Sequence, residues 1–153
     1  MATQTSTNGA PKAPPRITEP TTNVELARRL LSEFPSDKVF EMFADDVVFE
    51  FPFNPSLGMA ERFEGKTTVV AYLRSMLTHL VGLQMSDIKS YAVAGDPSTV
   101  FNEYRGNAKS QDGKPYAQTY MNKMQFRDGK LVLLREMWDS LKVYKSTSGA
   151  RWD

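Results

Sequence analysis

The sequence predicts an α+β domain: a cone-shaped α+β barrel, in which a curved antiparallel sheet is closed by about three N-terminal helices. Three observations carry that prediction. Helical periodicity dominates the first half of the chain, long alternating segments fill the second half, and Gly95-Asp96-Pro97, Gln111-Asp112-Gly113 and Arg127-Asp128-Gly129 punctuate those segments as turns.

The elements follow in order. Residues 1–21 are rich in Thr, Ser, Pro, Asn and Ala and hold too little apolar surface to offset the entropy of ordering, which predicts a tail. Thr22 and Glu25 read as a capping box, after which Val24, Ala27, Leu30, Leu31 and Phe34 recur at helical spacing until Pro35. Ser36 caps a second short helix with Val39, Phe40 and Phe43 as its buried stripe, ended by Asp45-Asp46. Residues 47–53, VVFEFPF, read as a strand and 54–64 as a loop rimming a pocket. Gly65 precedes a helix over 66–80 whose apolar face carries Val69, Tyr72, Leu73, Met76 and Leu80. Strands are expected over 83–94 and 99–108, and residues 145–153 read as a second tail, leaving one domain over 22–144.

The organising stretch is 116–143, read as two long strands joined at Arg127-Asp128-Gly129. Either a two-residue turn on Asp128-Gly129 or a three-residue loop with a bulge at Gly129 would close it. The three-residue loop is preferred because it keeps the aromatics together. Phe126 then faces Lys130, and Gln118, Tyr120, Asn122 and Met124 share a face with Val132, Leu134, Glu136 and Trp138. A three-residue loop at Gln111-Asp112-Gly113 adds Val100, Asn102 and Tyr104 to that face. The opposite face carries Thr119, Met121, Lys123, Gln125, Leu133, Arg135 and Met137, a mixture suited to an interface with a second copy of the chain.

Composition narrows the function. With 153 residues, 41% hydrophobic, and 19 basic against 18 acidic side chains, the chain can build a core but has no broad field for nucleic acid or an anionic membrane. There is no cysteine and one histidine, His79, so neither a thiolate nor a histidine metal centre is expected, and no cofactor is called for. No apolar run approaches membrane-spanning length and no signal-peptide pattern opens the chain, which predicts a cytoplasmic protein.

The order of elements, with FADDVVFEFPF, the EGK before a helix and FRDGKLVLLREMWD, resembles the SnoaL-like and ketosteroid isomerase-like proteins of the nuclear transport factor 2-like superfamily across residues 24–143. The resemblance implies a conical pocket, dimers packed through the outer sheet face, and small hydrophobic ligands such as polyketides or steroids. The steroid isomerases' proton-shuttling aspartate is replaced by Phe51, ahead of Pro52. Their hydrogen-bonding aspartate corresponds to Asn122 and their helix tyrosine to Ala27. The acid/base glutamate of the phenazine biosynthesis proteins matches Glu136 in REMW, while their helix histidine matches Tyr72.

Glu136 is the leading candidate. A carboxyl between Leu134 and Trp138 on an aromatic face resists ionising, which is what a general acid or base at neutral pH requires. The competing reading pairs it with Arg135, Lys123 or a second subunit. Tyr120, Asn122 and Tyr72 are expected to donate to a substrate oxygen, and Phe51, Phe53, Met76, Asn102, Tyr104, Leu134 and Trp138 to line the substrate pocket. The expected activity is acid/base isomerisation, cyclisation or dehydration of a small hydrophobic carbonyl compound. A non-catalytic binding or dimerisation module of the same fold is the alternative.

Overall fold

The computed structural model describes residues 22–148. The tail expected over 1–21 and the end of the one expected over 145–153 lie outside the described residues. Helix α1 (Thr22–Glu33) buries Val24, Ala27, Leu30 and Leu31, the stripe its spacing dictates. Asn23 Nδ2 donates to the Pro97 carbonyl at 2.7 Å, tying the helix to the sheet. Helix α2 (Asp37–Phe40) is a single turn whose Lys38 N–H donates to the Ser36 hydroxyl at 3.3 Å.

Strand β1 (Phe43–Glu50) starts and ends earlier than its sequence suggests. Phe43 belongs to the strand, facing Leu131, and Asp45-Asp46 lie within it. The run stops short of Pro52, which has no N–H for a ladder. The chain instead turns into a short 3-10 helix (Asn54–Leu57) and an edge strand β2 (Arg62–Glu64), so residues 54–64 are more regular than a loop. Helix α3 (Lys66–His79) follows Gly65, whose φ of 81° suits glycine.

The remainder is a meander: β3 (Leu80–Val93), β4 (Asp96–Ser110), β5 (Pro115–Arg127) and β6 (Lys130–Trp138). The six strands lie in the order β2-β1-β6-β5-β4-β3, antiparallel except where β1 runs parallel to β6. Irregularities between Val81 and Gln84 and between Ser86 and Lys89 break the β3 register, and such bulges bend a strand. The sheet therefore curves without closing, and its concave side holds the core with α1 and α3. Among the described residues no helix is long and apolar enough to cross a membrane.

Two expectations about the organising hairpin change. Arg127 faces Lys130 across a two-residue turn, with positive φ at both Asp128 (51°) and Gly129 (72°), rather than a three-residue loop. The faces are nevertheless kept, because Phe126 faces Leu131 while Gln125 faces Leu133, leaving Val132 as an extra residue on β6. Turn and bulge together slide the pairing by two residues, which preserves which side each residue faces. Val132 is thus a bulge residue and not a member of the inner row. The second strand also ends at Trp138 rather than continuing to 143: the Leu141 N–H donates to Asp139 Oδ1 at 3.1 Å, opening helix α4 (Ser140–Ser148).

Candidate active site

The concave face encloses a cavity of about 650 Å3, within the range of sites for small organic ligands. Its deep wall is apolar, with Leu30 and Leu31 from α1, Phe43 and Phe49 from β1, and Leu73 and Met76 from α3. The sheet side carries a polar cluster, Tyr104 from β4, Tyr116 and Tyr120 from β5 and Glu136 from β6, and α3 adds Tyr72. The β4–β5 loop, as expected from Gln111-Asp112-Gly113, forms the rim with His79, and Gln111 Nε2 donates to the Thr78 carbonyl at 2.9 Å. Val143 brings α4 to the opening.

Register explains the polar cluster. Asn102 faces Asn122, Tyr104 faces Tyr120, Asn122 faces Glu136 and Tyr120 faces Trp138. The rings of Tyr104 and Tyr120 stack, with centroids 5.0 Å apart and planes at 13°. The hydroxyls of Tyr116 and Tyr120 lie 3.0 Å apart in one hydrogen bond. Across the cavity Tyr72 stacks on Phe63, with centroids 4.0 Å apart.

Among the described residues Glu136 is the carboxylate in this cluster, Asp112 lying at the rim. Burial drives its carboxyl up to about 7, against the opposing pull of hydrogen bonds from Tyr104 and Asn122. The side chain keeps part of its surface open, because the cavity touches it, but the protein around it displaces most of its hydration. Neither basic neighbour pairs with it: Arg135 Nε donates to Glu50 Oε2 at 2.6 Å, and Lys123 lies on the opposite face. The phenols move the same way. Burial, then the charge of Glu136, pushes Tyr72 up to about 12 and Tyr104 well above its ordinary value. Burial also raises Tyr116 and Tyr120. All four are therefore neutral hydrogen-bond donors at physiological pH.

The structure brings Glu136, Tyr120, Tyr72, Phe51, Met76, Tyr104, Leu134 and Trp138 to one cavity. It does not bring Phe53, Asn102 or Asn122 there. Phe53 turns outward and is 52% exposed, because the strand ends before it. Asn102 and Asn122 share the expected face but are fully buried behind Tyr104, and their amides bond to one another and to its hydroxyl. Tyr116 was overlooked, although counting back by twos from Asn122 through Tyr120 and Gln118 reaches it. Among the described residues no cluster of three or more His, Cys, Asp or Glu is arranged to hold a metal ion.

This curved sheet, with helices packed on its concave side around a cavity, is the cone architecture of the nuclear transport factor 2-like proteins. The chain belongs to the SnoaL-like family of that superfamily: the SnoaL-like domain model matches residues 25–134. A PhzA/B-like protein of Pseudomonas aeruginosa, itself uncharacterized, is 32% identical over 110 residues, spanning 71% of this chain and 76% of that protein. The crystal structure of a candidate isomerase from Bacillus subtilis superposes with a TM-score of 0.72 at 26% identity, covering 84% of this chain and 94% of that one. A phenazine biosynthesis-related protein from Pseudomonas aeruginosa shares the fold with a TM-score of 0.73 at 17% identity, covering 84% and 86%.

Proposed function

We propose that this protein is a cofactor-free enzyme that moves a proton on a small hydrophobic carbonyl compound of polyketide- or steroid-like character, giving isomerisation, cyclisation or dehydration. The observation that carries the reading is Glu136, a carboxyl titrating near 7 inside an apolar cavity. The naming of a structural relative as a candidate isomerase supports it. In the simplest step, ionised Glu136 removes a proton from the carbon beside the carbonyl. The C–H bond breaks, an O–H bond forms on Glu136, and the electron pair moves onto the carbonyl oxygen as an enolate. Tyr72 and one hydroxyl of the Tyr116–Tyr120 pair, the one that accepts within their shared hydrogen bond, supply neutral donors for that oxygen. Returning the proton to a different carbon of a conjugated enolate isomerises the substrate; handing it instead to a β-hydroxyl, as the enolate electrons form C=C and the C–O bond breaks, releases water and dehydrates it. Asn122 acts on Glu136 rather than on the substrate, through its own hydrogen bond and through Tyr104.

The test is to incubate the protein with a panel of hydrophobic carbonyl compounds in D2O and follow deuterium uptake and products by NMR and mass spectrometry. Uptake that Glu136→Gln abolishes is expected. Tight binding of panel members without uptake or conversion would favour the second reading, a non-catalytic binding module. Phe51 at the position of the steroid isomerases' shuttling aspartate motivates that alternative.

The same reading includes a homodimer through the outer sheet face. Tyr91, Phe101 and Met121 are 48%, 42% and 51% exposed on that side, a run of large apolar groups crossing three strands.

A further inference from the structure

A one-way line of hydrogen bonds runs behind the cavity wall and ends on Glu136. Asn102 Nδ2 donates to Asn122 Oδ1 at 2.7 Å, Asn122 Nδ2 donates to the Tyr104 hydroxyl at 3.1 Å, and that hydroxyl donates to Glu136 Oε2. The direction follows from how the two asparagine amides are oriented, Asn102 with its nitrogen and Asn122 with its oxygen in their shared bond. An asparagine donates only through its nitrogen, so once Asn122 Oδ1 is taken by Asn102, its Nδ2 is the end presented to Tyr104. The Tyr104 oxygen then accepts, and its single proton goes to the carboxyl. Tyr104 has no proton left for a ligand, although its ring faces the cavity.

This line constrains Glu136 in both protonation states. An ionised carboxylate accepts at Oε2, and so does a neutral carboxyl, provided its proton rides on Oε1. A proton on Oε2 would confront the Tyr104 proton and turn the Tyr104 O–H out of its bond to the carboxyl, while the fully buried Asn122 still holds the other side of the hydroxyl oxygen.

We propose that Tyr104 is a positioning residue, oriented by Asn122 and Asn102, which claims Oε2 of Glu136 in both protonation states and leaves Oε1 as the atom through which the proton enters and leaves. The catalytic consequence rests on the proton-transfer reading above; the positioning itself does not. The titratable groups facing Glu136 from the surrounding elements are Tyr104 on β4, Tyr116 and Tyr120 on β5 and Tyr72 on α3, and Asn122 on β5 bonds to it as well. The charged groups on the cavity lining are Asp112 and Lys114, paired at 2.7 Å, and the ionisable His79 shares that rim.

The decisive measurement is the carboxyl 13C titration of Glu136 in protein labelled with 13C-glutamate, with the resonance assigned by its absence in Glu136→Gln. Tyr104→Phe keeps the ring stacked on Tyr120 and removes the hydroxyl, both the donor to Glu136 and the acceptor of Asn122 Nδ2, so Glu136 should bind its proton about tenfold more tightly and titrate at higher pH. Asn122→Leu should shift the midpoint in the same direction. An unchanged midpoint in a folded but less stable Tyr104→Phe would overturn the proposal and reduce Tyr104 to core packing. Should both variants fail to fold, the unsubstituted protein decides. A slowly exchanging Tyr104 hydroxyl proton is expected in the NMR spectrum both below and above the Glu136 midpoint, and its loss below the midpoint would mean that Glu136 donates to Tyr104 instead. Midpoints that move as stated, in a protein that turns over no carbonyl compound, would leave the positioning intact and remove the proton-transfer reading alone.

Discussion

Gly106 lies under the ring of Tyr120, so close that a Cβ at Gly106 would come within 2.8 Å of Tyr120 Cε2 and 3.4 Å of both Leu83 and Met85. The absence of a side chain on β4 is what lets Tyr120 stack against Tyr104 at the cavity wall. Gly106→Ala should therefore push the Tyr120 ring into the cavity and cost about 1–3 kcal/mol of stability, the usual scale of overpacking. Urea unfolding with near-ultraviolet circular dichroism reads both effects. Unchanged stability together with an unchanged tyrosine signal would show that the ring yields freely.

Glu136 gives stability a distinctive pH dependence. A free glutamate carboxyl ionises near 4.5, whereas burial holds Glu136 neutral until about 7. Between those values the folded state binds the extra proton, so the contribution of Glu136 is fully present below pH about 4.5 and is lost as pH rises through about 7. The loss amounts to up to about 3 kcal/mol. Glu136→Gln should abolish this slope. The difference between the two proteins in urea unfolding from pH 4.5 to pH 8 isolates the effect from carboxylates such as Asp46, which Arg127 holds below its ordinary value.

The same group sets the direction of an activity profile. If Glu136 removes the proton, its ionised form is the active one, and kcat/KM for deuterium uptake should rise through pH about 7 to a plateau. Glu136→Gln should lower the plateau by roughly 10^2- to 10^4-fold. A rate that falls through the same pH would mean that the neutral carboxyl donates instead.

Gln118 joins the sheet to the closing helix. Its Nε2 donates to the Asp139 carbonyl at 3.0 Å, and its Oε1 accepts from the N–H groups of Asp139 and Thr119 at 3.2 and 2.9 Å. Gln118→Leu should remove these part-buried bonds at a cost of about 0.5–1.5 kcal/mol each and loosen α4, which carries Val143 at the cavity opening. Hydrogen exchange should speed up over 140–148, with β4 and β5 unaffected.

Helical stripes and turn residues were legible because each reports a local rule. The α1 spacing named its buried residues, and Gln111-Asp112-Gly113 set the β4–β5 register that places Tyr104 beside Tyr120. Glu136 was found because strand alternation depends only on parity, so the unforeseen bulge at Val132, combined with a tighter turn, still left it facing the cavity. What could not be read was depth. Alternation puts Asn122 and Tyr120 on one face but does not say that one lies behind Tyr104 while the other reaches open space. Helix α4 was missed for a related reason: its run of Ser, Lys and Thr carries a weak apolar stripe, and its start depends on Asp139 and Gln118, a contact 21 residues apart.

Self-association can be tested without disturbing the monomer. Met121, 51% exposed on the outer face, lies opposite Glu103 on β4 and Met137 on β6. Met121→Lys places a cation beside Glu103, an arrangement an isolated sheet tolerates, yet buries that charge if a second copy covers the face. The unsubstituted protein should be a dimer by light scattering at micromolar concentration. The lysine variant should be a folded monomer whose unfolding midpoint falls, because it loses the stabilisation that association lends the folded state. A monomeric unsubstituted protein, or a variant that still dimerises, would move the interface elsewhere and leave Tyr91, Phe101 and Met121 without a partner.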